Sequence, residues 1–210
     1  MLKTEITQYL NSLSERPFTL APERIEPLNQ LVSWLTGQYQ QGITPSLNFI
    51  CTHNSRRSHL GQFWGKVIPV WLEMANTQTY SGGTQVTACH PNTMAAIGRA
   101  GAKIIKQSDG INPHYTCIPD DSGDELIHFW SKLYNDIANP TANFAAIMTC
   151  TSADEACPFI SGASVRISLP FLDPKYADGS PEMESAYNAT SDEIALTLIY
   201  AFKKVKAALK

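Results

Sequence analysis

One stretch constrains this chain more than any other: Leu47-Asn48-Phe49-Ile50-Cys51-Thr52-His53-Asn54-Ser55-Arg56-Arg57-Ser58. Leu47 to Ile50 reads as a short buried strand with Cys51 at its carboxyl end. An apolar stripe at helical spacing (Leu60, Phe63, Trp64, Val67, Trp71) starts just past Ser58. A strand, a short polar loop and a helix start leave backbone amides free to converge on oxygen ligands, and the helix N-terminus adds positive potential. The segment therefore predicts an oxyanion pocket formed by Thr52, His53, Asn54, Ser55, Arg56 and Arg57, with a sulfur at its floor. A field of that sign favours the thiolate form of a cysteine. Arg57 offers a planar fork that can grip two oxygens of a tetrahedral anion. The Ser58 hydroxyl is placed to hydrogen-bond the sulfur and stabilise it as nucleophile or leaving group.

The remaining chain reads as strands alternating with helices. Residues 1–45 form a helical extension: Ile6, Leu10 and Leu13 share one face before Pro17, and Ile25, Leu28, Leu31, Val32 and Leu35 repeat until Gly37 to Gly42. Past the loop, Pro69 should kink the helix that carries the apolar stripe. Thr79 to Ser81 reads as a second strand, and His90-Pro91-Asn92 opens a further helix. Ala102 to Lys106 looks extended, and a β-hairpin is expected across 114–134. Asn143 to Thr149 is a buried strand that delivers Cys150, and Val165 to Leu169 is another, leading to Asp173-Pro174. The last helix is expected to open on a Thr190–Glu193 capping box, with Ile194, Leu198, Phe202 and Val205 as its stripe. Such alternation implies a three-layer α/β domain over 46–210, with a mainly parallel four-stranded sheet and helices on both faces. Ligands bind beyond the carboxyl ends of such strands, the edge where Cys51, Cys150 and Asp173 would meet.

Composition narrows the function. The net charge is −3, only 17% of residues are charged, and lysines cluster only in the last helix, so no nucleic-acid surface is expected. No apolar run reaches the ~18 residues of a membrane span, and the opening residues lack the apolar core of a signal peptide. A cytoplasmic protein without metal or organic cofactor is the expectation. There are five cysteines, Cys51, Cys89, Cys117, Cys150 and Cys157, and an odd count argues against a structural disulfide framework. Cys89 and Cys117 are read as small buried hydrophobes.

Cys51-Thr-His-Asn-Ser-Arg-Arg57-Ser58 resembles the Cys-x5-Arg-Ser signature of the low-molecular-weight protein tyrosine phosphatases and of the related thioredoxin-coupled arsenate reductases. Ser81-Gly82-Gly83-Thr84, Pro91-Asn92 and the run Ala96-Ile97-Gly98-Arg99-Ala100-Gly101 resemble the family's second strand and helix. The segment from Cys150 to Cys157-Pro158 resembles the redox segment of the reductases, and Asp173-Pro174 resembles the general-acid loop. The resemblance implies Cys51 as nucleophile, Arg57 and Ser58 as its partners, and Asp173 as acid. For a reductase it further implies a Cys51, Cys150, Cys157 relay re-reduced by thioredoxin. For a phosphatase it implies a Cys51-phosphate intermediate and a phosphoprotein substrate. Arsenate or phosphate is the oxyanion in either case. The family usually has Gly where His53 stands, often has Cys where Arg56 stands, and in its phosphatase branch carries two aromatics after Asp-Pro, where this chain has Lys175 and Tyr176.

Overall fold

The computed structural model describes residues 1–210. Four strands, β1 (Ser46–Cys51), β2 (Gln78–Gly83), β6 (Phe144–Met148) and β7 (Ala163–Ser168), form an all-parallel sheet in the order β2-β1-β6-β7. Strands β3 (Lys103–Lys106), β4 (Tyr115–Ile118) and β5 (Ile127–Phe129) form a separate antiparallel sheet. The expected hairpin is thus present, and β3 completes it by pairing with β4.

Alternation along the strands splits the core in two, because successive side chains of a strand point to opposite faces. Leu47, Phe49, Ala145, Ile147 and Ile167 face the large core beneath α3 (Arg57–Trp71) and α6 (Met183–Ala208). Ile50, Phe144, Ala146 and Met148 face a small cluster closed by Ile160 and by Ala153 of α5 (Thr151–Ala156). Helices therefore cover both faces, very unequally. Gly61 and Gly65 let α3 lie directly on Phe49: a Cβ on Gly61 would sit 2.4 Å from that ring.

The extension consists of α1 (Thr4–Ser14) and α2 (Ile25–Gln40), and it joins the large core. Leu10, Leu13, Leu28, Leu31 and Leu35 are fully buried in the same cluster as Trp64, Leu198 and Phe202. Helix α2 ends at Gln40, within the expected stretch from Gly37 to Gly42, and it accommodates Gly37 because the packed leucines outweigh one glycine. The last helix differs from expectation. It starts at Met183, and Thr190 is buried inside it, donating to the carbonyl of Leu172. A Thr-x-x-Glu pattern imitates a cap wherever a threonine faces a neighbouring loop. Helix α4 (Pro91–Arg99) opens at His90-Pro91 as expected.

Candidate active site

Cys51 is the last residue of β1 and is 3% exposed, and α3 starts at Arg57. No backbone amide of residues 52–56 donates to another backbone carbonyl. A free array of amides ahead of a helix N-terminus is an anion cradle. The loop is fixed from outside by side chains. Asn54 adopts φ 43°, a left-handed conformation that asparagine tolerates. Its Nδ2 donates to Ser58 Oγ at 2.9 Å, while its Oδ1 accepts the amide of Lys132 at 2.9 Å. Ser58 Oγ lies 3.1 Å from Cys51 Sγ, the placement expected from sequence. The His53 carbonyl accepts from Ser131 Oγ at 2.8 Å and Thr87 Oγ1 at 3.1 Å. Gly83 allows β2 to approach, since a Cβ there would meet the Asn54 amide nitrogen and the Thr52 carbonyl at 2.8 Å.

Cys51, His53, Ser55, Arg56, Arg57 and Asp173 line one small cleft. His53 is not in the left-handed region, so the position occupied by Gly in the resembling families makes no glycine demand here; the positive φ falls on Asn54. Arg57 donates to the Phe171 carbonyl at 3.0 Å and to Asp173 Oδ2 at 2.5 Å, and its Nε is buried without a partner. Asp173 Oδ1 accepts the Lys175 amide, capping the short 3-10 turn Pro174–Ala177. Arg56 turns aside. Its Nε donates to Tyr187 Oη at 2.6 Å and its terminal nitrogen to Asp178 Oδ2 at 2.6 Å. Burial works against the Asp178 charge, yet the Tyr187 hydroxyl and the charges of Arg56 and His90 hold its carboxyl below the usual range.

Cys150 caps α5, accepting the Ala153 amide on Sγ at 3.4 Å, and Thr52 Oγ1 stands 3.4 Å from the same sulfur. Cys157 ends the helix, is partly exposed, and packs against the small cluster that contains Cys51 and Cys150. All five thiols are free. Cys89 and Cys117 lie in the large core instead, where burial pushes both thiols up out of the reactive range.

Three groups at the site escape a reading of the sequence. Arg166 on β7 donates to the Asp154 carboxylate at 2.5 Å and to the carbonyls of Asp154 and Cys157, and Ser168 donates to Asp154 at 2.7 Å. Arg24, from the extension, donates to the Pro170 carbonyl at 2.8 Å, pairs with Glu193 at 2.7 Å and lies over the Phe171 ring at 4.6 Å. It thus braces the segment that carries Asp173. The loop ties Thr87 and Ser131 are the third group. Only Arg166 left a trace in the sequence, as a lone charge in an otherwise apolar strand.

No family model matches the chain. It is similar to arsenate reductase 2 of Staphylococcus epidermidis, 28% identical over 160 residues, which span 75% of this chain and 95% of that protein. In structure it is similar to a mutant of YwlE from Bacillus subtilis (TM-score 0.52, 17% identity, covering 78% of this chain and 99% of that one). It is likewise similar to a low molecular weight protein tyrosine phosphatase from Bacillus subtilis (TM-score 0.50, 15% identity, 77% and 97% covered). The chain thus has the low-molecular-weight phosphatase fold and arsenate reductases among its relatives, as the motifs implied.

Proposed function

On that premise, a phosphatase fold with arsenate reductases as sequence relatives, we propose that the chain is an enzyme that reduces arsenate to arsenite. The observation that carries this reading is the grouping of Cys51, Cys150 and Cys157 around one small apolar cluster, with the other two cysteines elsewhere. The free amides of the 52–56 loop and the Arg57 fork bind the oxyanion. The Cys51 thiolate attacks arsenic(V) and an oxygen leaves as water, protonated by Asp173, which the anion displaces from Arg57. The Cys150 thiolate then attacks Cys51 Sγ. A Cys51–Cys150 disulfide forms, the arsenic–sulfur electron pair stays on arsenic, and arsenite departs as arsenic(III). Cys157 attacks Cys150, which frees Cys51 and leaves a Cys150–Cys157 disulfide. An external dithiol of the thioredoxin class supplies the two electrons that reopen it.

The last bridge needs movement. Cys150 and Cys157 flank a six-residue helix. At a rise of about 1.5 Å per residue they stand roughly 10 Å apart along it, against the ~5.5 Å between Cα atoms that a disulfide needs. Partial unwinding of α5 is part of the reading.

Arsenate-dependent NADPH oxidation in the presence of thioredoxin and its reductase tests it. Cys51→Ser, Cys150→Ser and Cys157→Ser should each abolish turnover, and full activity in either of the latter two removes the relay. The second reading is hydrolysis of phosphomonoesters through a Cys51-phosphate, favoured by the Ser58–Cys51 contact and the cleft position of Asp173. It requires aryl-phosphate turnover that depends on Cys51 and Asp173 and is indifferent to Cys150→Ser.

A further inference from the structure

Away from the Cys51 cleft, the antiparallel sheet and the turn after it lean against β2 and enclose a larger cleft of about 350 Å³. Gln62, Lys66, Tyr80, His128, Lys132 and Asn139 supply its polar walls, and no Asp or Glu lines it. Its two cations are Lys66 and Lys132. Lys66 is already neutralised by Glu125 at 2.9 Å and donates to Asn76 at 2.9 Å.

Lys132 is different. It is 4% exposed, its ammonium donates no hydrogen bond, and no carboxylate lies within ion-pair distance, the Asp136 charge acting on it from farther away. The nitrogen lies over the Trp130 ring, 4.1 Å from its centre, and that ring also stacks on His114. A cation–π contact offsets only part of the cost of taking an ammonium from water. A carboxamide also goes short here. Asn139 donates through Nδ2 to three carbonyls, those of Ser81, Leu133 and Tyr134, while its Oδ1 is buried with no partner. Nearby, His59 keeps a buried Nε2 without a partner, and burial first, then the Lys132 charge, hold its imidazole neutral.

We propose that this cleft is a binding site for a small oxyanion, carboxylate or phosphate, anchored by the Lys132 ammonium. A ligand that brought one negative oxygen to Lys132 would supply the close pairing the protein withholds. The cleft is of ordinary size for a small-molecule site. It is also wired to the other one. The backbone amide of Lys132 holds Asn54 Oδ1, Asn54 Nδ2 holds Ser58 Oγ, and Ser58 lies against the Cys51 sulfur. An occupant of the Lys132 cleft therefore sits one side chain away from the scaffold of the oxyanion loop.

The test must separate this cleft from the Cys51 loop, which also takes oxyanions under the function proposed above. In an Arg57→Met background, inorganic phosphate and citrate are titrated separately by calorimetry. In the unaltered chain, acetylation of Lys132 by a limiting reagent is followed by mass spectrometry with and without each anion. The expected result is binding that survives Arg57→Met, weakens at least tenfold on adding Lys132→Met at unchanged helical content, and slows acetylation of Lys132 at least fivefold. Protection by phosphate alone assigns a phosphate-bearing ligand, and protection by citrate alone a carboxylate. Acetylation of Lys132 at the same rate with and without either anion, or undiminished binding in the Arg57→Met, Lys132→Met protein, overturns the proposal whatever becomes of the arsenate activity.

Discussion

β1 and β6 are neighbours in the sheet, run in the same direction and each end beside a cysteine, yet the segments after them are held in opposite ways. Past β1, the loop from Thr52 to Arg56 is tied by side chains and backbone from other segments: Thr87, Ser131 and the Lys132 amide hold it from outside, and Asn54 spans the middle. Past β6, a six-residue helix rests on one principal staple, Arg166, with Ser168 beside it. The first arrangement fixes the amides of the cradle before any ligand arrives, so the cost of orienting donors is met by folding. The second leaves a short element that a single side chain controls. Under the proposed relay, the nucleophile that meets a tetrahedral anion needs the former, and the sulfur that reaches another sulfur needs the latter.

That contrast can be broken from either side. The largest effect is expected for Asn54→Ala, which removes both the Ser58 and Lys132 contacts and leaves a β-carbon residue in a left-handed conformation. Turnover should fall on the order of 100-fold and stability by about 2–3 kcal/mol. Asn54→Gly relieves the backbone strain but not the lost bonds, so it should recover stability more than activity; steady-state kinetics and denaturant melts read both. Next is Arg166→Met. It should cost about 1–3 kcal/mol, because Asp154 loses its charged partner in a partly buried setting. It should also speed oxidation of the Cys150–Cys157 pair by a mild disulfide oxidant, measured by thiol trapping. Unchanged oxidation would mean that α5 is not held by the staple.

Asp173→Asn gives a smaller and opposite signature at the rigid site. Arg57 loses its charged internal partner, so phosphate should bind several-fold tighter while turnover drops, a split that calorimetry and kinetics resolve. The smallest effect is one of pH. Burial lowers Lys132 to about 8, below its ordinary value near 10.5. The unfolded chain then binds more protons than the folded one across that window, so stability rises as pH climbs through it. Lys132→Met should stabilise the protein at pH 7 by on the order of 2 kcal/mol, and the gain should shrink towards pH 10, as melting curves at the two pH values would show. The ammonium's attraction to the Trp130 ring, absent in the variant, keeps that gain small.

How much of this was visible in the residues depends on the range over which each feature is built. Local features read well. The Cys51-to-Ser58 loop, the strands that deliver Cys51 and Cys150, the inserted hairpin and the burial of Cys89 and Cys117 all arise from patterns a few residues long. The contacts that join distant segments did not. Asn54 meeting Lys132, Arg166 meeting Asp154 and Arg24 bracing Phe171 depend on how elements dock, and no spacing in one dimension encodes that. The misplaced helix start at Thr190 has the same origin, since a buried threonine bonding a facing loop and a helix cap look alike until the loop is placed. His53 shows the converse. The family usually has Gly at that position, yet here the left-handed conformation falls one residue later, on Asn54.

The docking of the extension has a consequence for the order in which the molecule can assemble. Leu28, Leu31 and Leu35 emerge early in synthesis, but the core that buries them includes Leu198, Phe202 and Val205 of the last helix. Contacts of that sequence separation make the first-made helices wait for the last-made one, and separation of this kind slows folding. Arg24 waits with them: its partner Glu193 lies on the same final helix, and the Phe171 segment it braces is the one that presents Asp173. The cradle waits as well, since Tyr187 on that helix holds Arg56 and Ser191 holds Trp64, so the site gains its full set of groups only when the extension and the last helix have met.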